Sequence, residues 1–271
     1  MKVISINVNG IRAAARKGMY DWLQTMDADV VCLQELKAQP DQIHGAPYHP
    51  EGYHTFFHSA EKKGYSGVGL HCRQAPDAVH VGLGEGFEDI DSEGRYIQAD
   101  FGDLSVVSLY MPSGSSKDER QVFKYDMMAR FEARLAEIIG SGRKYIICGD
   151  WNIAHKKADI KNWRGNQKNS GFLPEERQWM DWLFGESESE TSDTVRGNAG
   201  FLDAFRLINQ EVEQYTWWSN RGQAWANNTG WRIDYHVITD NLKGKVVPGS
   251  AHIYKDERFS DHAPLTIEYD L

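Results

Sequence analysis

Two short motifs place an acid beside an amide or an imidazole where an apolar run meets a loop. Gly149-Asp150-Trp151-Asn152 follows the run Tyr145-Ile146-Ile147-Cys148, and Ser260-Asp261-His262-Ala263-Pro264 lies near the end of the sequence. A positioned carboxylate can activate a water molecule or bind a cation, and an imidazole can donate to a phosphate oxygen. Together the motifs predict a metal-assisted site that cleaves phosphate esters.

Polar residues also stand at the ends of other apolar runs. Asn7, Glu35 and Tyr110 follow or end such runs, and Asp234 opens one. A single acid or amide beside a strand is usually a turn residue that bonds its own backbone. Strand ends of α/β proteins meet at one rim, however, so this many residues of types that bind magnesium or phosphate predict a shared site.

Short apolar runs alternate with longer helical patterns, which predicts an α/β protein. Strands are predicted at Val3–Ile6, Val30–Leu33, Val68–His71, Tyr96–Ala99, Val106–Tyr110, Tyr145–Cys148, Ile233–Ile238 and Leu265–Tyr269. A helix is predicted after Ser116, since Ser116 and Glu119 have the spacing of a capping box. Its buried face recurs every fourth residue, at Phe123, Met127, Phe131 and Leu135. A second helix is predicted to open at Pro174, because proline suits the first helical position.

Length and composition favour one domain over residues 1–271, with 41% hydrophobic and 12% aromatic residues available for a large core. No apolar run is long enough to span a bilayer, and the first residues resemble no export signal. We therefore expect a cytoplasmic protein with no membrane partner. The cysteines, Cys32, Cys72 and Cys148, imply no disulfide framework and suit a reducing compartment.

The net charge of -9 argues against a nucleic-acid partner, because binding a polyanion requires local positive charge. Charge is segregated along the chain, however. The segment 155–168 carries five basic residues against one acid, Asp159. Taken alone, this segment is most simply a solvated face. The serine-rich acidic stretch 186–193 is predicted to be a solvated loop that would repel phosphate.

Nine short motifs follow one another along the chain: Ser5–Arg12, Leu33–Lys37, Gly64–Val68, Glu93–Arg95, Tyr110–Pro112, Gly149–Asn152, Asn169–Phe172, Gly230–Tyr235 and Ser260–Pro264. They resemble, in order, the motifs of exonuclease III-type apurinic/apyrimidinic (AP) endonucleases of the endonuclease/exonuclease/phosphatase superfamily. The resemblance implies a DNase-like four-layer α/β sandwich, in which two packed mixed β-sheets are flanked by helices. It also implies a DNA-repair phosphodiesterase that uses Mg²⁺, with Mn²⁺ as an alternative, and cuts duplex DNA 5′ to abasic sites. It leaves open accompanying 3′–5′ exonuclease and 3′-phosphatase or phosphodiesterase activities.

The resemblance assigns roles to the polar residues at the strand ends. The residues implied to hold metal are Glu35, Asn7, Asp261 and Asn9. Those implied to act in catalysis are Asp150, Asn152, Asp234, His262 and Tyr110. In this scheme Asp150 deprotonates the attacking water, while Asp234 orients His262 so that its other ring nitrogen donates to the phosphate.

The expected partner is duplex DNA containing abasic sites, bound by a monomer in the bacterial nucleoid. An extrahelical abasic sugar fits a small apolar pocket that excludes a normal base. The residues implied to form the pocket wall are Trp217, Trp231 and Ile233, and one of Trp217 and Trp218 is expected to lie in the core. Candidates for contacts to the DNA backbone are Arg12, Lys62, Arg95, Lys156, Lys161 and Lys168.

Two alternatives belong to other functional classes. The sequence also resembles catabolite-repression-control proteins, nucleic-acid-binding regulators that share the scaffold but lack parts of the catalytic set. Asp150, Asn152 and Asp261 are all present in this chain and favour an enzyme. The other alternative is a phosphodiesterase or phosphatase for lipid or small-molecule phosphates. Only the pocket tryptophans and the region 169–172 favour DNA over such phosphates as the substrate.

Overall fold

The computed structural model describes residues 1–185 and 197–271. The acidic stretch 186–193 therefore lies outside the described residues. The strands are Lys2–Asn7 (β1), Val30–Gln34 (β2), His54–His58 (β3), Val68–Cys72 (β4), Ala78–Val81 (β5), Tyr96–Phe101 (β6), Leu104–Tyr110 (β7), Lys144–Asp150 (β8), Phe201–Asp203 (β9), Trp217–Trp218 (β10), Gly230–Trp231 (β11), Asp234–Thr239 (β12), His252–Ile253 (β13) and Leu265–Glu268 (β14). Each strand predicted from the sequence is confirmed, with ends that differ by one or two residues.

Two six-stranded mixed sheets lie at the centre of the fold. Their strand orders are β13-β14-β1-β2-β4-β3 and β5-β6-β7-β8-β12-β9. Each sheet has one parallel pair, β1 with β2 and β7 with β8, and all other neighbours are antiparallel. The pair β10 and β11 forms a small separate ribbon.

The helices are Ile11–Arg16 (α1), Met19–Met26 (α2), Glu88–Asp91 (α3), Asp118–Gly140 (α4), Trp163–Asn166 (α5), Pro174–Phe184 (α6) and Ala204–Ile208 (α7). The predicted helix after Ser116 is α4, but the predicted capping box is wrong. Its N-cap is Lys117, and no side chain caps it. The prediction that a helix opens at Pro174 is confirmed by α6. No helix in the described part of the chain is both long and apolar enough to cross a membrane.

Alternate residues on the central strands face different layers, because side chains on a strand alternate between its faces. On β1, Val3 belongs to the core between the sheets, and Ile4 packs with α1 and α2. On β8, Ile146 belongs to that core, and Ile147 packs with α4 and α6. The order is therefore helix, sheet, sheet, helix, as the predicted four-layer sandwich requires.

Candidate active site

Strands from both sheets end at the same rim. Asn7 is the last residue of β1 and Asp150 the last of β8, and the Asn7 side-chain amide donates to Asp150 Oδ2 over 2.9 Å. Asp234 begins β12 and lies directly opposite Asp150 in the antiparallel register. The bond between Asn7 and Asp150 therefore joins the rims of the two sheets, so that residues from both surround one site.

A buried acid, imidazole and second acid form the centre of this rim. Asp150 is 2% exposed, His262 4% and Asp234 0%. The Asp234 Oδ2 lies 2.8 Å from His262 Nδ1, and His262 Nε2 lies 3.8 Å from Asp150 Oδ2. Asp150 Oδ1 accepts a bond of 2.8 Å from the Asn152 backbone. Asp234 thus holds the imidazole on one side, and Nε2 lies on the side of Asp150.

The protonation of these groups follows from their burial and mutual charge. Burial and then the Asp234 carboxylate raise the pKa of Asp150 to about 8. Burial lowers the pKa of His262, but the carboxylates of Asp234, Asp150 and Asp261 outweigh it and raise the pKa to about 10. The imidazole is therefore charged at neutral pH. A charged ring held by a carboxylate on Nδ1 can donate from Nε2 to an anionic oxygen.

Tyr110 ends β7, and its phenol lies beside the Glu35 carboxylate. Burial and then the Glu35 carboxylate raise the pKa of Tyr110 well above its ordinary value. The phenol therefore stays protonated and remains a donor. Glu35 itself follows β2, and its side chain is 17% exposed. The two residues lie at the carboxyl ends of the central strands of both sheets, which is where the sequence placed them.

Arg95 supports Tyr110 from behind. Its Nη1 donates to the Tyr110 carbonyl over 3.0 Å, and its guanidinium lies 4.7 Å from the Tyr110 ring centroid. It also bonds Glu93 and the Tyr65 hydroxyl, and only 1% of it is exposed. The prediction that Arg95 contacts DNA is wrong, because a guanidinium sealed among these partners cannot reach a phosphate.

Asp261 holds a second group of polar residues at the rim. Its Oδ1 accepts from Asn9 Nδ2 over 2.8 Å, and its Oδ2 accepts from Trp217 Nε1 over 3.1 Å. Lys37 Nζ donates to Asn9 Oδ1 over 2.5 Å and lies 3.3 Å from Glu35 Oε1. The sequence assigned no role to Lys37. Its place in the motif Leu33–Lys37 was the only signal that could have found it.

The backbone at the rim is held in uncommon conformations. Left-handed φ angles occur at Asn9 (42°), Glu35 (54°), Lys37 (49°) and Asn152 (52°). Each such non-glycine residue costs on the order of 1 kcal/mol. Two of them are offset by turns in which the residue two positions earlier accepts the backbone N–H: Asn7 for Asn9 and Asp150 for Asn152. Glycine is required at 149, where a Cβ would lie 1.8 Å from the Leu109 carbonyl oxygen.

An apolar wall adjoins the imidazole. Trp217 and Trp231 pack edge to face, with ring centroids 5.9 Å apart, and Trp217 forms a backbone bridge with His262. Both rings pack on the small cluster that contains Ile233 and Phe172. Ile233 is 6% exposed, so it backs the wall rather than forming its surface. Trp218 is 1% exposed in the central core, which confirms that one tryptophan of the pair is buried.

The acidic rim fits a hard divalent cation. Its carboxylate and amide oxygens are the donors that magnesium and manganese prefer, whereas the cysteines are buried in the described part of the chain as free thiols. Asp150, Asp234 and His262 bring three potential ligand atoms within 4.8 Å of one another. Asp234 Oδ1 is buried without a hydrogen-bond partner, and burial keeps Asp150 protonated near neutral pH. Both observations indicate a rim short of positive charge, and a metal ion would supply it.

The predicted metal ligands are spread around this cluster. Glu35 and Asp261 do not belong to the group whose ligand atoms lie within 4.8 Å, which in residues 1–185 and 197–271 consists of Asp150, Asp234 and His262. Asn7 instead donates to Asp150, and Asn9 donates to Asp261. The structure therefore brings the predicted ligands to one rim but holds them through hydrogen bonds rather than at coordination distances.

The predicted DNA-backbone residues other than Arg95 lie at or near the surface. Arg12, Lys62, Lys161 and Lys168 are exposed, and Lys156 is half-buried. Lys62 Nζ lies 5.0 Å from the Tyr65 ring, and Lys161 forms an ion pair with Glu213. Arg12 is in α1, immediately after the rim residues Asn7 and Asn9, so its position suits a phosphate that flanks the site.

Comparisons with known proteins give the family. The sequence profile of the Endonuclease/Exonuclease/phosphatase family matches residues 4–262. The chain belongs to this family. An exodeoxyribonuclease of Bacillus subtilis (strain 168) is 38% identical over 271 residues, which cover 98% of each chain. The DNA repair nuclease APEX1 of Danio rerio is 37% identical over 98% of this chain and 81% of its own length.

Solved structures of the family agree with this assignment. An AP endonuclease from Archaeoglobus fulgidus has a TM-score of 0.82 and 26% identity, and the match covers 100% of both chains. The predicted resemblance and the DNase-like sandwich are thereby confirmed. So is the predicted enzyme class, because these relatives are nucleases of the exodeoxyribonuclease III and AP endonuclease type. The protein is a hydrolase of this family.

Proposed function

We propose that the protein repairs DNA by hydrolysing the phosphodiester bond on the 5′ side of an abasic site in duplex DNA, with Mg²⁺ as its cation and Mn²⁺ as a substitute. The observation that carries the proposal is the charged His262 beside Asp150, with the apolar wall of Trp217 and Trp231 adjoining it. The proposed general base, the proposed anion donor and an apolar wall are thereby adjacent. The bacterial and fish relatives are named an exodeoxyribonuclease and a DNA repair nuclease, which supports a nuclease that acts on DNA.

Each side chain contributes a separate element of the reaction. Asp150 takes the proton of the attacking water, and Asn152 holds that water or a phosphate oxygen. His262, oriented by Asp234, and Tyr110 donate to the phosphate as negative charge builds there. Removal of one such donor typically costs about 3 to 4 kcal/mol of transition-state stabilisation.

Glu35 would hold the metal, with Asn7, Asp261 and Asn9 in support. When bound, the divalent ion supplies a Lewis acid and favours the deprotonated form of the acids around it. Lys37, which donates to Asn9 and lies 3.3 Å from Glu35, supplies one positive charge at the rim.

Recognition of damage relies on the apolar wall and on exposed cations. Trp217 and Trp231 would contact the flipped abasic sugar, and Ile233 would support both rings from within. Arg12, Lys62, Lys156, Lys161 and Lys168 would contact phosphates and position the duplex without reading its sequence. The wall is made of large rings packed edge to face, and we expect it to exclude a normal base.

Residues 1–271 act as one domain and as a monomer, and the DNA that the protein repairs is chromosomal DNA in a bacterial cytoplasm. Accompanying 3′–5′ exonuclease activity is part of the proposal, since the Bacillus relative is named an exodeoxyribonuclease. A 3′-phosphatase or phosphodiesterase activity would use the same donors on a terminal phosphate.

The test is a substrate panel with end-labelled 30-mer duplexes. One duplex carries a single tetrahydrofuran abasic analogue, its matched control carries a normal nucleotide, and a soluble inositol phosphate serves as a non-nucleic substrate. Each is incubated with Mg²⁺, Mn²⁺ or chelator. We expect metal-dependent nicking on the 5′ side of the analogue only. Binding of DNA without nicking would support the regulator, and faster release of inorganic phosphate from the inositol phosphate would support the small-molecule phosphatase.

A further inference from the structure

An ion pair without any solvent contact lies beneath the rim. Lys124 is on α4 and Glu176 is in the first turn of α6, and both side chains are 0% exposed. Lys124 Nζ donates to Glu176 Oε1 over 2.5 Å. A buried ion pair is a weak source of stability, because desolvation offsets most of the attraction between the charges. Its position therefore needs a reason other than stability.

Both members of the pair also bind backbone groups of rim loops. Lys124 Nζ donates to the Asn152 carbonyl over 2.8 Å. Glu176 Oε2 accepts from the backbone N–H groups of Gly171 over 2.6 Å and of Leu173 over 3.0 Å. The ion pair therefore connects the loop that carries Asn152 to the loop of the motif Asn169–Phe172.

Those two loops touch at the wall of the site. The Ala154 backbone donates to the Gly171 carbonyl over 2.8 Å. A Cβ at Gly171 would lie 3.0 Å from the Asn152 carbonyl oxygen and 3.0 Å from the Trp231 ring. Asn152 has a left-handed backbone, and its side-chain amide donates to the Met111 carbonyl over 2.8 Å and to Asp150 Oδ2 over 3.3 Å. Lys124 holds the carbonyl of the same residue and so anchors the backbone from which this amide projects.

We propose that Lys124 and Glu176 are positioning residues, whose ion pair fixes the left-handed backbone of Asn152 and its contact with Gly171. Neither residue reaches the substrate. They act by holding the Asn152 amide and the Trp231 side of the wall in one arrangement, and this inference rests on the proposed function of the rim.

The experiment compares the wild type with Lys124→Met/Glu176→Leu, which removes both charges and avoids a lone buried ion. In this variant the Asn152 carbonyl and the Gly171 N–H lose their hydrogen-bond partners. We expect the loops to shift until both groups form new hydrogen bonds. A matched control, Arg130→Met/Asp89→Leu, removes a 2.8 Å ion pair between α4 and α3, in which Arg130 also donates to the Gly86 carbonyl. For each protein we measure the single-turnover cleavage rate with saturating enzyme, and the Kd for the abasic-analogue duplex in chelator.

We expect the double variant at 124 and 176 to cleave roughly 10- to 100-fold more slowly, the range that a displacement of about 1 Å produces, with little change in Kd. The control should keep the wild-type rate. A variant at 124 and 176 that cleaves at the wild-type rate overturns the inference, and so does a loss of rate matched by an equal loss of affinity.

A second measurement needs no variant. The Gly171 amide of the wild-type protein, bonded to a buried carboxylate, should exchange its hydrogen only through global unfolding. Exchange at the rate of an exposed loop amide would overturn the inference even if the double variant failed to fold. Cleavage by the wild type tests the proposed function separately, so the two failures are distinguishable.

Discussion

Replacement of Asp234 by Asn tests the electrostatics of the site, because Asp234 raises the pKa of both His262 and Asp150. Asp234→Asn keeps the shape of the side chain and removes its charge, 2.8 Å from His262 Nδ1. An opposite charge at such a distance moves a pKa by roughly 1 to 3 units, so the pKa of His262 should fall from about 10 to roughly 7 to 9. The pKa of Asp150 should fall as well, since the nearby carboxylate no longer opposes its ionisation.

The sign of both changes is the same. Activity requires Asp150 deprotonated and His262 protonated, so the rate rises as pH passes the first pKa and falls as it passes the second. In Asp234→Asn both limbs of the bell-shaped profile therefore move to lower pH. The assay is single-turnover cleavage of a tetrahydrofuran-containing duplex, which is stable in base, with NMR of ¹⁵N-labelled histidine to follow the ring directly.

The matched control is Asp181→Asn. Asp181 Oδ1 lies 2.7 Å from His155 Nε2 in a second Asp–His pair, which is separate from the Asp234–His262 pair. The control should leave the pH profile unchanged. If the alkaline limb and the ring titration of His262 stay at their wild-type positions in Asp234→Asn, the reasoning about this pair is refuted.

Three further predictions concern separate parts of the site. Asp150→Asn should slow cleavage by roughly 10²- to 10⁴-fold with the Kd for DNA nearly unchanged, and a variant that retains the full rate would exclude Asp150 as the base. Trp231→Ala should reduce the preference for abasic over undamaged duplex in competition assays, because Trp217 loses its edge-to-face partner; an unchanged preference would remove the wall from recognition. Lys168→Ala should reduce the slope of log affinity against log salt by about 1, whereas Arg95→Met should leave that slope unchanged and lower the melting temperature. The opposite result would restore Arg95 as a DNA contact.

Much of the fold could be predicted because its central strands are buried runs with clear boundaries. Val3–Ile6 and Tyr145–Cys148 are almost wholly apolar, and they form β1 and β8. The missed strands are short or partly exposed, such as His54–His58 and Ala78–Val81, and their alternation is too weak to detect. The apolar period of the sequence predicted helix α4. Its first residue was not predicted, because Ser116 lies outside the helix and does not cap it.

The site was predictable in its residue types but not in its contacts. Residues at strand ends could be collected from the sequence, since parallel strands bring their carboxyl ends to one rim. The burial of individual side chains could not be predicted from the sequence. Arg95 was therefore predicted to contact DNA, although its guanidinium lies beneath Tyr110. The role of Lys124 could not be predicted for a related reason, because a lysine on a helix is normally exposed. Such residues become recognisable only when the two sheets and the helices are packed together.

Isotope labelling tests whether an activated water attacks the phosphorus atom. The protein cleaves the abasic-analogue duplex once in H₂¹⁸O with Mg²⁺, and the masses of the products are measured by mass spectrometry. We expect a 3′-hydroxyl on the upstream fragment and one ¹⁸O atom in the 5′-phosphate of the abasic fragment. A phosphate without label would contradict this expectation, because the water held at Asp150 would then not be the nucleophile.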